Sequence, residues 1–257
     1  MSARGIAATI GSAFAEVRSN RASFLTQVTV MVLNDAAWVV FWAIFFDRVG
    51  SVRGWDRDRV LTLLAVFMTG AGAVLALLAN ARRVGKLAAD GELDAALALP
   101  IRPLAYVLVR RMDAINFGDV VFGVFLFVVV GDLSPGRVAS FVLAVATSFV
   151  VLTGFLVTVG SIAFYAGKGE AGDFGLHAVL LFASYPIDIF SGGTKLLLYT
   201  ALPAAFISGV PASVVDDFDL TRAVAMVGVA CFFALAGAVS FRAGLKRYAS
   251  GSVWTRA

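Results

Sequence analysis

The chain has 257 residues, of which 60% are hydrophobic and 15% charged, whereas a soluble domain carries roughly 45–50% apolar and about 25% charged residues. So few charges cannot cover a core of this size, so the excess apolar surface must meet lipid; an ordinary soluble enzyme, a disordered chain and a collagen-like repeat are excluded. The net charge of +4 would suit nucleic acid, but the placement of the basic residues explains it better.

Residues 1–21 put Ile6, Ile10, Phe14 and Val17 on one helical stripe flanked by Arg4, Arg18 and Arg21. That pattern predicts an amphipathic helix lying in the cytoplasmic interface. Thr9, Gly11, Ser12 and Glu16 break the apolar run that a signal peptide needs.

A hydrocarbon core of about 30 Å requires about 20 apolar residues in helix. Runs of that kind predict spans over 24–46, 60–79, 112–130, 138–165 and 223–241. The region 176–215 is apolar but interrupted by Pro186, Asp188, Gly192, Gly193, Lys195, Pro203 and Pro211. Its simplest reading is a short span over 176–190 followed by a re-entrant segment over 194–215, because broken backbone at membrane depth is tolerated only where protein buries it. The expected fold is therefore an all-α integral membrane protein, one transmembrane domain over 1–257 with six spans. With the N-terminus inside, six spans place 14 of the 21 basic residues on the cytoplasmic side, in accord with the positive-inside rule. Seven spans would send the basic tail from Arg242 to Arg256 outside. A multi-pass protein of the cell membrane with both termini in the cytoplasm is expected.

Several chemistries have no residues to carry them. Gly167-Lys168-Gly169 lacks the preceding glycine and following hydroxyl of a phosphate-binding loop, so the chain is not expected to hydrolyse ATP by itself. A single cysteine, Cys231, and a single histidine, His177, cannot build a zinc site, and no metal is expected. No serine sits in G-x-S-x-G, and no catalytic residue is assigned.

Ionisable groups inside spans are costly and mark candidate pathways. Asp35 lies at the midpoint of the first span beside Asn34. It reads either as a pathway-lining or proton-binding group, or as a carboxyl satisfied by Asn116 or a hydroxyl on a neighbouring helix. Asp113, Asn116 and Asp119 share one side of the third span, where Arg110 or Arg111 is expected to pair with Asp113. His177 reads as an interfacial loop residue. The break at Tyr185, Pro186 and Asp188 marks either a gate or the turn into the re-entrant segment, since Pro186 removes a backbone donor.

The loop after the second span carries Arg82, Arg83 and Lys86, then Gly91-Glu92-Leu93-Asp94-Ala95-Ala96-Leu97-Ala98-Leu99, then Pro100 and Pro103. Gly91 permits a turn, Glu92 and Asp94 suit a helix N-terminus, and the prolines stop the helix. This predicts a short helix over 91–99 whose apolar face, Leu93, Ala96 and Leu97, either grips a partner or rests on lipid.

The G-E-L-D-x-x-L-x-L-P segment resembles the coupling region of type-2 permease subunits of ATP-binding-cassette (ABC) transporters. The order of N-terminal interface helix, six spans, re-entrant segment and basic tail is similar too. So are the stretches Tyr185-Pro186-x-x-Ile189-Phe190-x-Gly192, Leu202-Pro203-x-Ala205-Phe206-Ile207 and Gly244-Leu245-x-x-Tyr248-x-Ser250. The resemblance implies a permease, mostly of exporters, that pairs with a second permease half, identical or different, and with two cytoplasmic ATPase subunits. ATP and magnesium would sit on those partners, and this chain would bind no cofactor. Glu92, Leu93, Asp94, Leu97, Leu99 and Pro100 would contact the ATPase, helped by Arg82, Arg83 and Arg102. The first, second and fifth spans would line the path. A proton-coupled secondary carrier using Asp35 or Asp188, or a non-transporting scaffold, are the competing readings.

Overall fold

The computed structural model describes residues 3–100, 102–167 and 169–248. Among them the chain is helical throughout, with one isolated bridge, Val52 to Trp55, in place of any strand. α1 (Ala3–Arg18) is followed by α2 (Arg21–Val49) and α3 (Arg57–Leu77). Their starts are set by side-chain caps: Asn20 Oδ1 accepts from Ser23 N at 3.0 Å, and Asp56 Oδ1 from Arg59 N at 3.0 Å, satisfying donors that a helix start leaves free. Two short helices, α4 (Val84–Ala89) and α5 (Asp94–Leu97), lead into α6 (Pro103–Val109) and α7 (Phe117–Val129). Then come α8 (Pro135–Gly160), α9 (Ala163–Ala166) and α10 (Ala171–Ala183). α11 (Gly192–Tyr199), a 3-10 turn over Pro203–Phe206, α12 (Gly209–Asp216) and α13 (Leu220–Leu245) complete the chain.

Among the described residues four helices are long and apolar enough to cross a bilayer: α2, α3, α8 with its continuation through α9, and α13. The α11–α12 pair, bent by 54°, passes the same test as one broken span or re-entrant loop. α7 and α10 are apolar but only 13 residues each, about 20 Å of helix. The third predicted span, 112–130, thus starts five residues late, because Asp113, Ala114 and Asn116 lie in irregular backbone. The fifth, 176–190, is displaced toward the N-terminus: α10 begins at Ala171 and ends before Pro186, after which Ile187–Ile189 form a 3-10 turn.

α3 is the central post, buried along most of its length, whereas α2 and α13 are far more exposed. Glycines allow the closest approaches, as expected where packing rather than solvent exclusion holds helices together. A Cβ on Gly154 of α8 would collide with the Phe233 carbonyl of α13, and one on Gly237 would lie 2.9 Å from the Gly154 carbonyl oxygen. α8 and α13 form the most extensive helix pair of the molecule around that crossing. α2 leaves Leu25, Leu33, Phe41 and Ile44 exposed, an apolar face for lipid or another subunit.

Candidate functional site

The loop after α3 folds as a small hairpin. The helix expected over 91–99 is shortened to α5, and α4 precedes it across a turn in which Gly91 takes φ 78°. Only a residue without Cβ adopts that backbone freely. Asn80, 1% exposed, anchors the base by donating from Nδ2 to the Val107 carbonyl at 2.9 Å. α4 lies tightly on the end of α8, since a Cβ on Gly85 would come within 2.9 Å of the Gly160 carbonyl oxygen.

This geometry divides the predicted coupling residues into two groups. Leu93, expected on the face offered to a partner, is 1% exposed and packs with Leu87, Ala96, Val107, Val157 and Phe241. It is a core residue of this chain, because the turn at Gly91 swings it under the hairpin. Asp94 is half-buried and accepts a hydrogen bond from the Tyr248 hydroxyl at 2.9 Å. Burial first, then the bond to Asp94 and its charge, push the Tyr248 phenol up to about 12. Glu92, Leu97, Leu99, Pro100 and Arg102 are exposed. Glu92 Oε2 accepts from Arg110 Nη2 at 3.3 Å. Arg110 therefore serves Glu92 rather than Asp113, whose carboxylate accepts from the Ile115 N–H at 3.4 Å, and no ion pair of Arg111 with Asp113 is seen among the described residues. Arg82 stands 3.9 Å from Asp173, and Arg83 is half-buried at the start of α4.

A second cluster lies on the opposite side of the bundle. Asp188 Oδ1 accepts from Lys195 Nζ at 2.6 Å and its Oδ2 from Trp55 Nε1 at 3.0 Å. Arg53 Nη1 donates to the Asp188 carbonyl at 2.8 Å. The Tyr185-Pro186 break thus ties the α2–α3 loop to the α11 segment, and Pro186 itself is buried. Tyr185 stacks edge-on against Trp42, ring centroids 5.6 Å apart. The role that Trp55 and Arg53 play here had no signal in the sequence, since their partners lie more than 130 positions away.

The third site is a cleft of about 390 Å³ between α2 and α10, floored by α3 and α7. Asn34, Asp35, Asn116, Asp119 and His177 all line it. Asp35 is 3% and Asp119 7% exposed, and Asp35 faces Asp119 and Asn34 rather than Asn116. His177 lies inside α10, not in a loop, with Nδ1 2.7 Å from the Asp173 carbonyl oxygen. Among the described residues no cluster of His, Cys, Asp and Glu fits a metal ion.

A helical hairpin thus packs on the ends of apolar helices, and a bent pair, α11–α12, precedes α13. The model of the family described as ABC-2 family transporter protein matches residues 32–252. The chain belongs to the ABC-2 transporter family. This ABC-2 protein is therefore a multi-pass membrane permease component of an ABC transporter, a transport component with no ATPase of its own. No curated protein and no solved structure matches it significantly. The ABC-2 match begins inside α2 and takes in the hairpin, the cleft and the Asp188 cluster, and it leaves out α1. Ser250 of the terminal motif and Lys168 lie outside the described residues.

Proposed function

We propose that this ABC-2 permease is one half of an ATP-driven exporter, pairing with a second half and with two cytoplasmic ATPase subunits that carry ATP and magnesium. Six crossings by α2, α3, α7, α8, α10 and α13 are the topology of this reading, with α11–α12 re-entrant and both termini cytoplasmic. The basic residues of the α3–α7 connection and of the tail support that orientation.

The observation that carries the proposal is the seating of Leu93. Its core includes Val157 of α8 and Phe241 of α13, so a push on the exposed Leu97 and Leu99 passes through close-packed side chains into two long helices. A loop resting on lipid has no need of such an anchor. On this reading Glu92, Leu97, Leu99, Pro100 and Arg102 touch the ATPase, and Leu93 and Asp94 hold the hairpin rigid.

The test is co-purification of the permease with the ABC ATPase encoded beside it, comparing the wild type with Leu97→Arg and Leu99→Arg. Loss of the ATPase from both variants, with the permease still folded, is the expected result. Retention in both variants would overturn the coupling assignment. The buried Asp35 and Asp119 favour one rival, a proton-coupled carrier, and transport by the permease alone in ATP-free vesicles would establish it.

A further inference from the structure

The α2–α10 cleft combines features that seldom coincide without a ligand. Its volume of about 390 Å³ lies within the usual range for small-molecule sites, about 300–1,000 Å³. Its walls are apolar and aromatic, with Trp38, Phe67, Met68 and Leu181 among them, while two carboxyl side chains, Asp35 and Asp119, converge at one end. Both are more than nine-tenths buried, and the Asp35 Oδ2 has no hydrogen-bond partner. Neither residue is in any ion pair seen among the described residues. Other buried or half-buried acids are served: Asp188 by Lys195 and Trp55, and Asp216 by Arg137 at 3.9 Å. A buried carboxylate without a cation is costly, and although Asp35 is hydrogen-bonded to Asp119 and Asn34, its enclosed Oδ2, in the wall of the cleft, is left without a partner.

Access and fit point the same way. α2 packs on α7 and α3, and α10 on α8, so the cleft between α2 and α10 opens sideways past Leu181, which is 60% exposed. One end is narrowed by Trp38 and Tyr185, whose rings meet edge-on at 6.5 Å. Trp38 also lines the cleft, an aromatic residue of the kind that attracts positive charge.

We infer that this cleft binds a lipophilic organic cation, its positive or hydrogen-bond-donating head between Asp35 and Asp119 and its apolar body against Trp38, Phe67 and Leu181. The inference rests on the permease reading and deepens it, because it gives the chemical class of the transported molecule. Charge at one end selects cations over anions of equal size, and the apolar walls reject small inorganic ions.

The experiment uses the full chain in lipid nanodiscs, with tetraphenylphosphonium as the cationic probe and tetraphenylborate as an anion of the same size. Binding is measured net of empty nanodiscs. The wild type is expected to bind the cation, and Asp35→Asn or Asp119→Asn to weaken it about tenfold each, the loss of one favourable charge contact. Leu181→Trp, on the exposed rim and harmless to the fold, fills the mouth and weakens the cation to a similar degree. Equal net binding of the two probes, or no binding of the cation, overturns the inference. So does unchanged cation affinity in Leu181→Trp, which decides the matter even if the aspartate variants fail to fold. The permease reading fails separately, if the wild type does not co-purify with its ATPase.

Discussion

The Tyr248 hydroxyl donates to the Asp94 carboxylate at 2.9 Å, joining the segment just after α13 to the hairpin after α3 across 154 positions. That bond closes the cytoplasmic end of the molecule, because Tyr248 also packs edge-on against Phe164, at 6.1 Å, beside the hairpin. Tyr248→Phe keeps the ring and removes the bond. It is expected to lower stability by about 1 kcal/mol and to loosen coupling, read as more ATP hydrolysed per molecule transported.

The same bond makes a pH prediction. The folded-state phenol is raised to about 12, above the ordinary value of about 10. A raised group contributes stability that is complete below the unfolded value and is lost as pH rises through the folded one. The wild type should therefore lose its advantage over Tyr248→Phe between about pH 10 and 12, and not below. Thermal unfolding of both proteins across that range checks it, and a constant difference would count against the bond.

Leu93 and Leu97 should separate stability from partner binding. Leu93→Arg places a charge in a closed core and is expected to cost about 4 kcal/mol or more, seen as loss of the monodisperse protein. Leu97→Arg, at a position 44% exposed, should change stability by no more than about 0.5 kcal/mol while weakening ATPase binding. Similar thermal midpoints for the two variants would contradict the burial of Leu93.

At the Asp188 cluster, Trp55→Phe removes one donor and should cost about 1 kcal/mol. The Lys195 pair is about two-fifths exposed on each side, so Lys195→Ala should cost less, below about 1 kcal/mol. Hydrogen exchange should rise in residues 52–55 and 192–199 together, since one carboxylate holds both segments. A rise in only one segment would show that they are held independently.

Gly154→Leu should be among the most damaging single changes. Its side chain would occupy the space of the Phe233 backbone, and backbone cannot rotate aside as a side chain can, so a loss of about 3 kcal/mol is expected. The exposed Gly228 on the same pair of helices meets nothing within 4 Å, and Gly228→Ala should be tolerated. Thermal stability in detergent measures both.

The sequence by itself determined the class of the protein. Apolar runs as long as 24–46 and 60–79 admit one physical outcome, helices in lipid, because unsatisfied backbone cannot remain there. The prolines at 186, 203 and 211 likewise announced a break, since each removes a donor wherever it falls. The hairpin was legible only as a helix-forming loop bounded by Gly91 and Pro100. Which of its leucines faces inward was decided by contacts from Val157 and Phe241, far along the chain. Local periodicity put Leu93 and Leu97 on one face, and they do share a helical turn, Leu97 N donating to the Leu93 carbonyl at 3.0 Å, but the other helices close over Leu93 alone and leave Leu97 exposed. The cleft shows the same limit. Asp35, Asp119 and His177 were each visible as polar residues in or beside apolar stretches, and each had a local explanation. Only helix packing brings them to one space, because the side-chain directions of three helices are fixed by the crossings of α2, α3, α7 and α10 and not by any spacing along the chain.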